Sequence, residues 1–528
     1  MKNVLYLLMI VMLFVACNNK KPVPEKRDTA ITPSNSYSEL FFDSLQLEQY
    51  ISKNEFPDSM ALMMRDFYNV RNYQYAWFTN EGLSRQAQSF WNLQRNYIEY
   101  NRDSSIYNET LQQFTDSVDQ AGSTPALSDS VRLRYELEFT SQFFSYASKA
   151  YQGDKDIDPD EVKWFIPRRK VDITSMLDSL IANKGRSIKE YEPVNRQYNL
   201  LRDYLQKYSE IKNKGGWNEI TSDQKKIEMG DSLPAIAMIK NRLFLTGDYT
   251  SEDTSYVFSE LLKSAIMRFQ QRLGLADDGV VGPGTLAALN IPLDERIRQL
   301  LVNMERLRWV PAEPPGDYIL VNIPEYKLHV YEKGQYAFDM NVVVGTTQNR
   351  TVIFTDKLQN VVFSPYWNIP PGILKNEILP GIRANSRYLA NHDMEWHNGY
   401  VRQRPGPNNS LGLVKFLFPN SYNIYLHDTP SKSLFKEDAR AFSHGCIRVA
   451  EPIKLADWVF QNDSAWNEKT IAEAMHAGEE KYVEVNEDIL VFIGYFTAWV
   501  DRQGRLNFRK DIYGHDEAMA KRMFSDLF

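Results

Sequence analysis

"DYILVNIPEYKLHVYEKGQYAFDMNVVVG", residues 317–345, changes the period of the chain. Apolar residues before it recur at helical spacing. Within it they alternate, with breaks at Pro324 and at the Lys333–Gly334 turn. Side chains on a strand point alternately to opposite faces, so this alternation predicts half-buried strands. The expected fold class is therefore multidomain α+β, with helical N-terminal parts followed by a β-rich domain. A chain of 528 residues is too long for one ordinary core and is expected to split into two to four domains.

Upstream of this switch, "DERIRQLLVNMERLRWVP" carries Ile297, Leu300, Leu301, Met304 and Leu307 as one stripe and predicts a connecting helix over residues 293–312. Before it, "SELLKSAIMRFQQRLGL" places Leu262, Ile266, Phe269 and Leu273 on one helical face, with Gly274 as the stop. "DDGVVGPGTLAALN" adds a turn and a short helix entered through Pro283, which makes residues 226–292 a compact unit. Residues 37–220 read as a helical scaffold domain. There "SVRLRYELEFTSQFFSYASKAYQG" spaces Leu133, Leu137, Phe144 and Ala147 helically and stops at Gly153. Residues 18–36 are polar and Pro-bearing, without hydrophobic period, and read as a flexible tether. Residues 1–17 hold one Lys, an apolar run and then Ala16-Cys17. The run is shorter than the roughly 20 residues a bilayer span needs and has the shape of a secretory signal.

Composition narrows the class. Hydrophobic residues make up 43%, charged residues 24% and aromatics 13%, a globular balance that excludes disordered and collagenous chains. The net charge of −7 gives no reason to expect nucleic acid as a partner.

Downstream, "AFSHGCIRVAEP" (residues 441–452) holds one of only two cysteines. In "YNIYLHDTP", Tyr422, Ile424 and Leu426 alternate with Asn423, Tyr425 and His427, so His427 is expected on the face opposite the apolar set. In "CIRVA", Ile447 and Val449 alternate with Cys446 and Arg448, which places thiol and guanidinium side by side. Gly445 removes a side chain where backbone must approach a ligand. A thiol with pKa about 8.5 needs a base to become a nucleophile, and acyl transfer needs N–H donors for its oxyanion. His427 is the expected base. His444 is two residues from Cys446, about 7 Å apart along an extended backbone, and takes a supporting role. A zinc site of His427, His444 and Cys446 finds no CxxC or HExxH beside it, and the chain has seven His in all. Neither metal nor cofactor is expected.

"YLHDTP" followed by "FSHGCIRV" resembles the signature of the L,D-transpeptidase family. "PYWNIPPGILKNEILP" and "PGPNNSLGLVKFLFPN" resemble its large, multidomain Gram-negative members, as do "FYNVRNYQYAW" and "YFTAWVDRQGRLNFRKDIYG". Thr351-Val352 departs from the Thr-Pro common in relatives. Phe269, Gln270, Gly274, Leu275, Asp278, Gly279, Gly282 and Thr285 resemble the pattern of a three-helix peptidoglycan-binding domain. Ala16-Cys17 resembles a bacterial lipobox, although Phe14 stands where Leu is usual.

The resemblance implies a catalytic domain over residues 313–480 with a substrate lid at about 371–423, and a C-terminal extension over 481–528 packing on it. It implies Cys446 as nucleophile and His427 as general base, with N–H groups around His444, Gly445 and Cys446 as oxyanion hole. Arg448 and His444 hold substrate, and Tyr366, Trp367 and Ser443 are further substrate contacts. The implied reaction rebuilds peptidoglycan: D-Ala leaves a tetrapeptide stem, a thioester remains, and another stem's amine completes a 3→3 crosslink. Water as acceptor gives L,D-carboxypeptidase trimming instead. Expected partners are peptidoglycan stem peptides, carbapenem inhibitors and, through a lipid on Cys17, a membrane facing the periplasm.

Rival readings are weaker. Ser209-x-x-Lys212 and Ser421-x-Asn423 fit penicillin-binding D,D-transpeptidase motifs, but no K-[ST]-G follows. Papain-like and cell-wall cysteine peptidases place Cys before His, and a sortase-like enzyme wants a different context around its Cys. A non-catalytic peptidoglycan-binding lipoprotein would have no use for Cys446.

Overall fold

The computed structural model describes residues 23–101, 103–186, 192–312, 314 and 316–524. The apolar leader, Cys17 and the start of the tether lie outside the described residues. The chain forms two compact units: residues up to 148 together with 172–192, and residues 149–171 together with 193 onward.

The first unit is helical: α1 (Ser44–Lys53), α2 (Asp58–Asn69), α3 (Arg85–Asn101), α4 (Glu109–Ala121), α5 (Asp129–Ala147) and α6 (Ile173–Ala182). The Asp43 carboxylate and Gln46 amide close a capping box on α1, and the Asn108 side chain caps α4. Leu133, Leu137, Phe139, Phe143 and Phe144 of α5 are buried with Trp77 and Phe90 in an aromatic core. The tether reading fails from residue 25 onward. The Glu25 N–H donates to Asp66 Oδ1 at 2.7 Å, Arg27 Nε to Asn72 Oδ1 at 2.7 Å, and the Asp28 N–H to the Asn69 carbonyl at 3.0 Å. Main-chain N–H groups of Glu25 and Asp28 and the Arg27 side chain thus hold the segment to the end of α2 and the turn after it.

Glu136 of α5 is fully buried in this unit. Its carboxylate accepts the N–H groups of Ala76 (2.6 Å) and Trp77 (2.9 Å) and the Tyr68 hydroxyl (3.0 Å). Burial pushes its carboxyl up to about 7 against those donors. Glu136→Ala leaves two buried N–H groups without an acceptor and is expected to destabilise this unit by about 3 kcal/mol. Denaturant unfolding checks this: the midpoint of one transition moves down, and a variant with no shift would refute the role.

The second unit begins with residues 149–171 and α7 (Arg196–Asn213), so the single helical domain expected over 37–220 is divided. Helical period reports that a face is buried, not which element covers it. Next come α8 (Pro234–Thr246), α9 (Glu260–Leu273) and α10 (Pro283–Leu289). They enclose a common core that includes Ile236, Ile239, Leu262, Ile266 and Phe269, as the sequence predicts. Helix α11 (Leu293–Trp309) carries the expected stripe but is buried on its polar side too. Part of that side is paired: Arg308 with Glu305 (2.5 Å), Arg306 with Asp516 (2.5 Å), and Asn303 Nδ2 with Thr497 Oγ1 (2.8 Å).

The period switch at Asp317 is the start of an eleven-stranded sheet. Its strands are β1 (Asp317–Asn322), β2 (Lys327–Glu332), β3 (Gln335–Gly345), β4 (Phe354–Lys357) and β5 (Asn360–Phe363), then β9 (Val414–Leu417), β10 (Leu426–His427), β11 (Ala441–Ser443), β12 (Ile447–Val449), β13 (Lys481–Glu484) and β14 (Ile489–Gly494). The order is β13-β5-β9-β10-β12-β3-β2-β1-β14-β4, with β11 beside β3. The breaks fall where expected, at a 3₁₀ turn over Ile323–Glu325 and at Gly334, whose φ is +76°.

Two expected boundaries move. Strand β14 lies in the segment read as a C-terminal extension, yet it pairs along its whole length with β1, because the apolar run "ILVFIG" is buried on both sides. Strand β9 lies in the range read as lid, yet it sits in the main sheet between β5 and β10. The rest of the range read as lid lies in a small folded insertion. Its strands β6 (Trp367–Asn368), β7 (Met394–His397) and β8 (Tyr400–Gln403) form a separate sheet over a core of Ile369, Ile378, Met394 and Val401. After β12 come α12 (Pro452–Val459) and α13 (Glu468–Met475). The chain closes with the hairpin of β15 (Ala498–Val500) and β16 (Leu506–Phe508), then α14 (His515–Met523).

Candidate active site

Strands β10 and β12 run parallel and adjacent, with Leu426 opposite Ile447 and His427 opposite Arg448. The Ile447 N–H donates to the Tyr425 carbonyl at 3.1 Å, which extends the ladder one residue back and sets Tyr425 beside Cys446. Leu426, Ile447 and Val449 are fully buried on one face. Alternation then puts Tyr425, His427, Cys446 and Arg448 together on the other. Thiol, imidazole and guanidinium therefore share one face of these two strands.

His427 is buried, and its Nδ1 lies 2.5 Å from the main-chain oxygen of Asp428. A carbonyl can only accept, so Nδ1 carries a proton there; the main chain of Leu411 is a second hydrogen-bond partner of the ring. Burial, aided by the charge of Arg448, pushes the imidazole down to about 4. Asp428 is held in turn. Its carboxylate accepts the Leu413 N–H at 2.9 Å and pairs with Lys432 at 2.5 Å. Gly412, at φ +64°, makes room for that carboxylate, since a Cβ there would stand 2.4 Å from it.

Cys446 is half-buried, and its Sγ lies 3.5 Å from the Asn423 carbonyl. Burial pushes the thiol up, against smaller opposing pulls from Tyr425 and Arg448. Burial and the adjacent sulfur likewise push the Tyr425 phenol up. At neutral pH both the thiol and the imidazole are therefore in their neutral forms.

The loop before Cys446 is braced from outside the sheet face. Gly445 sits at φ +117°. Its carbonyl accepts from Thr351 Oγ1 at 2.8 Å, and the same hydroxyl accepts the Gly345 N–H at 2.9 Å. Tyr513 donates its hydroxyl to the Gly345 carbonyl at 2.6 Å and accepts the Thr351 N–H at 3.3 Å. Its own N–H reaches the Tyr495 hydroxyl at 2.9 Å, and Tyr495 donates to Asp511 at 2.6 Å. In a trans peptide the C=O and N–H point opposite ways. Fixing the Gly445 carbonyl on Thr351 thus turns the Cys446 N–H away from Thr351.

Several expected roles change. The Ser443 hydroxyl donates to the Cys446 carbonyl at 2.5 Å and accepts the Gly445 N–H at 3.1 Å. Ser443 is therefore an internal brace rather than a substrate contact, and the Gly445 N–H is already engaged. His444 is exposed, with Nε2 3.4 Å from Glu377 Oε1 of the lid insertion, because residues i and i+1 of an extended segment face opposite ways. Trp367 packs on the lid core, and Tyr366 lies under the Arg402 guanidinium at 3.9 Å. Sequence reasoning missed Tyr425, whose place two residues before His427 was visible in the alternation. It also gave no role to Thr351, noted only as part of the Thr351-Val352 departure, or to Tyr513, which lies within the quoted stretch ending at Gly514.

Residues 316–466 match the family described as the L,D-transpeptidase catalytic domain. Over those residues the chain is similar to an L,D-transpeptidase catalytic domain. Residues 63–205 match a "Scaffold domain" and residues 232–289 a "Putative peptidoglycan binding domain". A Haemophilus influenzae protein named "Putative L,D-transpeptidase" is 34% identical over 240 residues, 42% of this chain and 48% of that protein. The chain thus spans about half the length of the curated relative it matches. Solved L,D-transpeptidases from Xylanimonas cellulosilytica and Stackebrandtia nassauensis are each 16% identical over 52% of this chain. They are covered over 100% and 98% of their own chains, at TM-scores of 0.18 and 0.22, and carry no argument about chemistry. Within the matched residues, the family signature falls on β10 and on the β11–β12 loop.

Proposed function

We propose that this domain forms 3→3 peptidoglycan crosslinks through a thioester on Cys446. The supporting observation is the shared sheet face of Cys446 and His427, with Nδ1 of His427 holding its proton on the Asp428 carbonyl. In this reading, Nε2 takes the thiol proton as Sγ attacks the carbonyl joining the third stem residue to D-Ala. The Cys446 N–H, turned away from Thr351, stabilises the oxyanion. The imidazolium returns its proton to the leaving D-Ala amine. The side-chain amine of a second stem then attacks the thioester, again losing its proton to His427, and restores the thiol. Arg448, beside the sulfur, and the exposed His444 hold the stem. Water in place of the amine gives carboxypeptidase trimming. The proposed setting is the periplasm, with the chain tethered by a lipid on Cys17.

A strained β-lactam carbonyl is an acyl donor for the same sulfur. Incubation with imipenem is expected to add the mass of one ring-opened molecule to the intact protein, mapping to Cys446. No adduct, or an adduct on another residue, would refute the assignment of the nucleophile.

A further inference from the structure

The acyl-transfer chemistry leaves unused a buried basic cluster in the second unit. Arg242 of α8, Arg272 of α9 and Arg296 of α11 are 3%, 4% and 6% exposed. With Tyr208, Trp217 and Phe508 they line one cavity of about 10 Å³. A single carboxylate answers three guanidiniums there. Asp248 takes Arg272 in a two-pronged bond, at 2.6 Å from Nε and 2.5 Å from Nη2. Arg296 lies over the Phe508 ring at 4.4 Å and donates Nη1 to Gln299 at 3.0 Å. Arg242 lies over the Trp217 ring at 4.4 Å and donates Nη2 to the Asn218 carbonyl at 2.7 Å. Its Nε and Nη1 are buried with no acceptor among the described residues. Burial pushes Arg242 and Arg296 each down to about 10, which still leaves both charged at neutral pH. Lys207, half-buried nearby, adds a further cation.

Buried cations are retained where something opposite in sign meets them. The positive excess, the two unpartnered nitrogens of Arg242 and the cavity lined by these arginines call for an anion. The cavity has room for one body the size of a water molecule. Phosphate or a stem-peptide carboxylate is too large, and a halide fits. We propose that Arg242, Arg272 and Arg296 form a halide site that takes chloride as a structural counter-ion, locking α8 and α9 to α11 and the β15–β16 hairpin.

The test is thermal unfolding of the full chain in sodium chloride against sodium gluconate at equal ionic strength, about 0.15 M. Chloride is expected to raise the unfolding temperature of this unit by about 2–4 °C and to saturate with concentration. Arg242→Met, which keeps an apolar stem on Trp217, is expected to lose that increment without falling below the wild type in gluconate. Equal temperatures in the two salts, or an undiminished increment in the variant, would overturn the proposal. A variant that lowers stability equally in both salts would overturn it too, because that is the signature of an arginine met only by water. Crystals soaked in sodium bromide decide independently of any variant. An anomalous peak among the three guanidiniums is expected, and its absence refutes the site.

Discussion

Cys446→Ala is expected to form no 3→3 dimer from tetrapeptide stems, a loss of more than ~10⁴-fold, while His427→Ala retains roughly one part in 10³ at pH 7. The difference lies in what each group supplies. In the proposed mechanism the sulfur is the atom that carries the acyl group. Removing the imidazole leaves a thiol that reacts once it ionises by itself. Burial holds that thiol above its ordinary value, so little thiolate exists at neutral pH and the base matters most there. The ratio of wild-type to His427→Ala turnover should shrink as pH rises toward the thiol's own ionisation, which burial moves above its ordinary range. The wild type has an acid limb set by His427, which burial holds at about 4 rather than near 6.5. Activity should therefore persist at pH 5, where an ordinary histidine would be protonated and unable to accept. A wild-type profile that falls through pH 6.5, or a His427→Ala enzyme as fast as wild type at pH 7, would defeat this assignment. An unchanged unfolding temperature guards against simple collapse of the buried site.

What could be read in the sequence is what depends on near neighbours. Alternation in "YNIYLHDTP" and "CIRVA" fixed which side chains share a face, and the strands obey it, because the pleat allows only two sides. The breaks at Pro324 and Gly334 were legible for the same local reason. Assignments that depend on distant partners were not. Nothing in residues 149–171 shows that they leave the first unit for the second. The apolar run of β14 was visible, but not its place beside β1, more than 150 residues earlier. The oxyanion loop shows the limit most clearly. Gly445 was singled out as a place for close approach, yet which of its two peptide groups faces the site depends on Thr351 and, beyond it, Tyr513. The same holds for Ser443 and His444. Both stand in the signature, but one turns inward as a brace and the other outward to the lid.

Thr351→Val is expected to lower turnover about 10- to 100-fold while leaving the rate of iodoacetamide reaction at Cys446 within a factor of about two. Thr351 is a positioning residue. Its hydroxyl ties the Gly445 carbonyl and the Gly345 N–H together, and valine keeps the shape but not the bonds. Freed from Thr351, the Gly445–Cys446 peptide can rotate, and the Cys446 N–H loses its fixed direction toward a developing oxyanion. Alkylation at sulfur forms no oxyanion, so it should not register the change. Loss of an aligned donor costs up to about 10²–10³ in rate, and a donor that still points correctly part of the time costs less. Two buried groups left without partners should also cost about 1–3 kcal/mol of stability, so turnover must be measured well below the unfolding temperature. Thr351→Ser restores the hydroxyl and should recover most of the rate. Tyr513→Phe, one bond further out, should give a smaller loss of the same kind, because Thr351 still bridges both glycines. Equal losses of alkylation and turnover in Thr351→Val would mean that the whole site has collapsed. Unimpaired turnover would mean that the direction of the Cys446 N–H is set elsewhere.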